Sequence, residues 1–167
     1  MNVEARLFGR GLYLPPPVVA PPGVSVRFAW ARAFGDRIYL AGHCPQARDG
    51  AIAGPFGRVG AEVTAEEASR AAALATLSML GSLTRLLGDL DVVAAWLRID
   101  GFVLTAPGFD RTTNVINGCS DLIIEVFGPD IGRHARTAMG VAATPLSCPV
   151  IIAAEVAVDL RRWEHPL

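Results

Sequence analysis

Apolar positions along this chain change their period several times, and each change marks an element. Ala73, Leu77, Leu80, Leu83 and Leu87 recur at spacings of four and three, which lays them along one face of a helix. Thr64 with Glu67 forms a capping box ahead of them and Gly88 follows, so the pattern predicts a helix from Thr64 to about Leu87. Gly81 weakens its middle by about 1 kcal/mol relative to Ala. Residues 92–104, VVAAWLRIDGFVL, read as a buried strand. A second helix is expected to start within 114–120 and end near Phe127, with Cys119, Leu122, Ile123 and Val126 as its stripe. Residues 135–143 and 149–159 read as two closing strands, with Pro145 and Pro149 bracketing the turn between them. Upstream, residues 25–34 and 37–42 (RIYLAG) read as a hairpin turning at Gly35-Asp36. Residues 47–62 are Gly-rich and predict a loop with a short strand. The stretch LPPPVVAPPG at 14–23 cannot be helical and reads as an extended arm.

The resulting order is two strands, helix, strand, helix, two strands. One sheet with both helices on one face is the natural packing, an α+β domain. The uncovered face would carry Ile151 and Ala153, too apolar to meet water, and neighbouring subunits are the simplest cover. The expected organisation is an N-terminal arm over 1–23, one domain over 24–160 and a tail over 161–167. Composition points the same way. Of 167 residues 51% are apolar and 19% charged, a low charged share for a free-standing monomer.

All 15 basic residues are Arg, so no lysine is present for a Schiff base. A net charge of −1 gives no electrostatic footprint for nucleic acid. Cys44, Cys119 and Cys148 are odd in number and widely spaced, which fits neither a disulfide framework nor a CxxC metal site. No trio of His, Cys or carboxylate has metal-ligand spacing, so neither a metal nor another cofactor is expected. The first residues lack a signal peptide's apolar segment, and Glu155 interrupts the longest apolar run. The expectation is a soluble cytoplasmic protein without a membrane partner.

The segments GFVLTAPGF (101–109), NGCSDLIIEVFG (117–128) and GRHARTAMGVAATPL (132–146) resemble the RidA/YjgF superfamily, in a branch with a GRHAR-type segment. The likeness runs from about residue 24 to 158. It implies a chorismate-mutase-like fold and a homotrimer around a central barrel, with three clefts between subunits. In the deaminase branch such clefts hydrolyse 2-aminoacrylate-type enamines and imines. The family's carboxylate-binding arginine falls on Arg136, and a guanidinium suits that task because it grips a planar carboxylate with two parallel hydrogen bonds. The other reading of Arg136 is a strand-end arginine paired with a neighbour's acid.

The resemblance places the water-activating glutamate at Ile151, and Ala153 stands at the next acidic position. Glu155 faces the same way but lies about 13 Å along the strand, out of proton-transfer reach. Loss of a positioned acid–base group typically lowers a rate about 10²–10⁴-fold, so efficient hydrolytic deamination is not expected. Further pocket positions implied by the resemblance are Phe28 for a tyrosine, Ala41 for a serine, Ser120 for a helix asparagine, and Pro145 beside them. His43 replaces a glutamine; it reads either as a transplanted acid–base group or as a hydrogen-bonded strand-end histidine. Cys44 beside it points to the opposite face, and His134 reads as an interface or loop histidine. Three functions follow: an enzyme acting on a small carboxylate-bearing or carbonyl metabolite, a non-catalytic metabolite-binding trimer, and a ribonuclease, which near-neutral charge argues against.

Overall fold

The computed structural model describes residues 2–163; Met1 and the last four residues of the expected tail, 164–167, lie outside the described residues. Five strands form one mixed sheet: β1 (Ala31–Phe34), β2 (Arg37–His43), β3 (Val93–Leu104), β4 (Ala135–Val141) and β5 (Val150–Val158). Their order is β1-β2-β5-β3-β4, antiparallel except for the parallel pair β3/β4. A parallel pair needs a crossover, and α3 (Thr112–Phe127) supplies it. The long helix α2 (Ala65–Leu87) lies over β2 and β5 and packs alongside α3.

Alternation along β5 divides the two faces of the sheet. Val150, Ile152, Ala154, Val156 and Val158 are buried under the helices, whereas Ile151, Ala153, Glu155 and Ala157 turn to the other face and stay half-buried. That open face also carries Tyr39, 45% exposed and opposite Arg32, and Phe34, 76% exposed and opposite Arg37 in the β1/β2 ladder.

The capping box of α2 is present: Thr64 Oγ1 accepts from Glu67 N at 3.1 Å, and Glu67 accepts from Thr64 N at 2.9 Å. Burial extends beyond the expected apolar stripe to Ala68, Ala71, Ala72, Ala75 and Met79. The helix faces several neighbours at once, among them α3, β5 and β2. A Cβ on Gly81 would stand 2.8 Å from the Pro15 carbonyl oxygen, so this mid-helix glycine admits the arm. Arg85 Nη1 donates to the same carbonyl at 2.9 Å.

Four elements differ from the pattern reading. Residues 3–9 form a short helix, α1 (Val3–Gly9), whose Val3 and Leu7 are fully buried; two apolar positions four apart were too brief a period to read. The first strand begins at Ala31 rather than at 25: pairing with β2 starts at Ala31↔Leu40, and Val26, Phe28 and Trp30, which keep the alternation, line a pocket instead. The second helix begins at Thr112, two residues before the expected window, and continues past Gly128 into a single turn, α4 (Pro129–Gly132). Trp163, in the expected tail, is buried in the core. Among the described residues no helix is long and apolar enough to cross a membrane.

Candidate functional site

Arg136 sits on the edge strand β4, opposite Ile99 of β3, and therefore points to the helix-covered side. There α3 offers Asn117 and Ser120, three residues apart and so on one face. Arg136 Nη1 donates to Asn117 Oδ1 and to Ser120 Oγ, each at 2.9 Å, and Nη2 reaches the Thr113 carbonyl at 3.4 Å. A guanidinium has five N–H donors. The Nε–H and one Nη2–H therefore remain open, and no salt bridge among the described residues involves Arg136. Two adjacent free donors on a clamped, partly exposed guanidinium are what a planar carboxylate needs for bidentate binding.

The polar chain continues behind Ser120. His134 Nδ1 lies 2.7 Å from the Gly132 carbonyl oxygen, which can only accept, so Nδ1 carries the proton. Nε2 of the neutral ring, 2.9 Å from Ser120 Oγ, then accepts the serine hydroxyl. Burial lowers the His134 pKa from its ordinary value; the Gly132 carbonyl opposes this and Arg136 adds to it.

A second station is apolar. A cavity of about 350 Å³ is walled by Phe28, Trp30, Pro145 and Ile151, with Cys44 at its edge and residues between Val18 and Val26 lining the other side. Gly42, in the bulge that interrupts the β2/β5 ladder, lets Ile151 come close: a Cβ there would lie 2.7 Å from Ile151 Cγ2. Gly42, not Ala41, forms the wall; Ala41 donates its N–H to the Trp30 carbonyl at 3.0 Å. The neighbouring Cys148 thiol and burial together push the Cys44 thiol pKa up.

His43 joins neither station. It is fully buried on the helix side, behind Trp30, whose ring centroid is 5.0 Å from the imidazole and 4.8 Å from Phe28. His43 Nδ1 donates to the Ala41 carbonyl at 2.6 Å, and Nε2 accepts from Ser82 Oγ at 2.9 Å. Desolvation lowers its pKa to about 4, against the Ala41 carbonyl and with help from Arg85. A neutral imidazole without exposed surface has no route to a ligand in the cavity, so a catalytic His43 finds no support in this geometry.

The sequence-selected residues thus fall into two groups: Arg136 with Ser120, and Phe28 with Pro145 and Ile151. Asn117 and Trp30 were missed. Asn117 could have been found from its one-turn spacing to Ser120; nothing in the sequence signals the inward turn of Trp30. Chain spacing also hid an acidic trio, since oxygens of Glu4, Asp89 and Asp91 come within 4.8 Å of one another. Glu4 accepts from Leu90 N and Asp91 from Val3 N, so both help to dock α1.

The class these features define is α+β: one mixed sheet with helices over one face, an open apolar face on the other, and an edge-strand guanidinium clamped by the crossover helix. No family model matches the chain. It is 34% identical to Protein TCP17 of Trypanosoma cruzi over 158 residues, 95% of each chain. The crystal structure of Atu1372, a protein of unknown function from Agrobacterium tumefaciens, superposes with a TM-score of 0.83 at 35% identity over 94% of each chain. An endoribonuclease candidate from Shewanella oneidensis MR-1 superposes with a TM-score of 0.85 at 26% identity, over 95% of this chain and 100% of that one. The chain belongs to the RidA/YjgF superfamily, the endoribonuclease L-PSP type.

Proposed function

We propose that this protein assembles as a homotrimer and processes a small enamine, imine or related carbonyl metabolite in clefts between subunits, with Arg136 gripping the ligand's carboxylate. The observation that carries this reading is the separation of the two stations. Arg136 presents free donors at an edge strand without an apolar wall, and the Phe28–Ile151 cavity is apolar without a charged group. Each is the complement of the other, and neither completes a site within one protomer. The open sheet face supports assembly, because burying Phe34 and Tyr39 against copies of the chain removes apolar surface from water.

Efficient hydrolysis is not part of the proposal. Ile151 occupies the position where a carboxylate would activate water. Glu155 cannot serve in its place, since it pairs with Arg37 at 2.6 Å farther along β5. The same apolar wall supports a second reading, a trimer that retains a metabolite without chemistry. Sedimentation velocity together with incubation on amino-acid-derived imines tests the proposal. The expected results are a trimer, keto-acid release at the buffer rate by the wild type, and a gain in release for Ile151→Glu. A monomer overturns the shared cleft, and wild-type release well above buffer overturns the exclusion of hydrolysis.

A further inference from the structure

We propose that the Ser120 hydroxyl, backed by the imidazole of His134, is the proton-transfer group of the Arg136 site. The inference rests on reading Arg136 as the carboxylate anchor and adds the acid–base group that the site otherwise lacks.

Partners on both sides settle the direction of every hydrogen bond in the chain. Arg136 Nη1 can only donate, so Ser120 Oγ accepts from it at 2.9 Å. The Gly132 carbonyl can only accept, so His134 Nδ1 carries the proton and Nε2 is bare. The Ser120 hydroxyl therefore points at Nε2, 2.9 Å away. A hydroxyl facing an unprotonated imidazole nitrogen, with the ring oriented by a third group, is the arrangement that activates serine for proton removal. The arginine donor on the same oxygen stabilises negative charge that develops there. Asn117, the other side chain on Nη1, holds a carboxamide that does not exchange protons in this range. Arg136 is also the charged group whose field reaches the His134 ring.

A second Arg–Ser–His chain in the same fold shows what a purely structural version looks like. Arg85 Nη2 donates to Ser82 Oγ at 2.9 Å, Ser82 meets His43 Nε2 at 2.9 Å, and His43 Nδ1 meets the Ala41 carbonyl at 2.6 Å. In that copy the histidine is wholly buried and Arg85 is also spent on the Pro15 carbonyl. The Ser120 copy lies nearer the surface: Ser120 itself keeps 9% of its surface, Asn117 is exposed, Arg136 and His134 are partly exposed, and the guanidinium keeps open donors.

The chemistry this supports is tautomerisation of a carboxylate-bearing imine or 2-oxo compound. Ser120 Oγ takes a proton from the carbon beside the C=N or C=O group while its own proton passes to His134 Nε2. The C–H electron pair becomes the C=C bond, and the C=N or C=O π pair moves to the heteroatom. That atom receives the proton back through the same relay, so no co-reactant is consumed. Ser120 is the catalytic residue; His134 acts through it and is a positioning residue.

Pyruvate in D₂O tests this, with methyl-proton exchange followed by NMR and binding followed in parallel by ligand-observed NMR. The wild type is expected to exchange the methyl protons faster than buffer, with a rate that falls as His134 becomes protonated at low pH. Ser120→Ala and His134→Gln should lose about 10²-fold or more of that exchange while still binding pyruvate, and His134→Gln should lose the pH limb. Ser120→Thr, which keeps the hydroxyl, should retain exchange and shows that the position tolerates change. If the wild type binds pyruvate but exchanges it at the buffer rate, or if Ser120→Ala exchanges like wild type, the relay is overturned and the anchor stands. If the wild type does not bind pyruvate, the anchor fails and the relay falls with it.

Discussion

Arg136 Nη1 donates to Ser120 Oγ at 2.9 Å, a contact that ties the edge strand β4 to the crossover helix α3. The guanidinium cannot swing away without giving up that bond and the equal one to Asn117. Its remaining donors are held in place before a ligand arrives, which lowers the ordering cost of binding. The anion anchor proposed for Arg136 thus draws on residues that α3 and β4 contribute jointly.

Removal of this anchor should be felt at once. Arg136→Ala is expected to weaken binding of a small carboxylate by roughly 1.5–3 kcal/mol, the range for hydrogen bonds to charged groups. Arg136→Lys should recover only part of the loss, because an ammonium cannot hold Asn117 and Ser120 and still present a bidentate edge. Titration calorimetry with pyruvate measures both variants; equal affinity for Arg136→Ala and wild type would exclude Arg136 from the site.

His43 makes stability depend on pH. The folded imidazole stays neutral down to about 4, whereas an unfolded histidine takes up a proton near its ordinary 6.5. Between those values the unfolded chain binds more protons, so stability is complete above 6.5 and falls as pH drops towards 4. The slope contributed by this group is about 1.4 kcal/mol per pH unit within that window. Thermal melts across pH 4–7 should show the decline in wild type and a flatter profile in His43→Gln. Identical slopes would show that His43 does not cause it.

Gly81 offers a test of the arm. Replacement by Ala gains about 1 kcal/mol of helix propensity, but its Cβ would press on the Pro15 carbonyl at 2.8 Å. The backbone of the arm must move, which loosens the Arg85 bond to that carbonyl. The expected net result is a loss of about 1 kcal/mol and faster proteolysis within residues 14–23. A higher melting temperature with unchanged proteolysis contradicts this role for the glycine.

The main elements were legible because each rests on local chemistry. The Thr64–Glu67 box and Gly88 bound α2, and Gly35-Asp36 sets the β1/β2 hairpin. The pattern of residues 92–104 carries β3, and the motif around Arg136 singled out a guanidinium that α3 holds in place. What stayed illegible depends on contacts far apart in sequence. The burial of α1 needs Asp91 and Leu90, which lie more than eighty residues away from their partners Val3 and Glu4. The inward position of His43 follows from the β2 bulge and the Ser82 partner, neither visible in an AGHC string. The two Arg–Ser–His chains escaped notice because no chain spacing links Ser120 to His134 or Ser82 to His43.

The central claim is that Arg136 of one protomer and the Phe28–Ile151 cavity of another form one site. Subunit mixing tests it most directly. Arg136→Ala removes the anchor, and Ile151→Arg fills the cavity; each variant alone should fail to bind pyruvate. Unfolding and refolding the two together should restore a fraction of the binding sites, because some interfaces then pair an intact Arg136 with an intact cavity. No recovery in mixed assemblies, with each variant folded and assembled, would contradict a site shared between protomers.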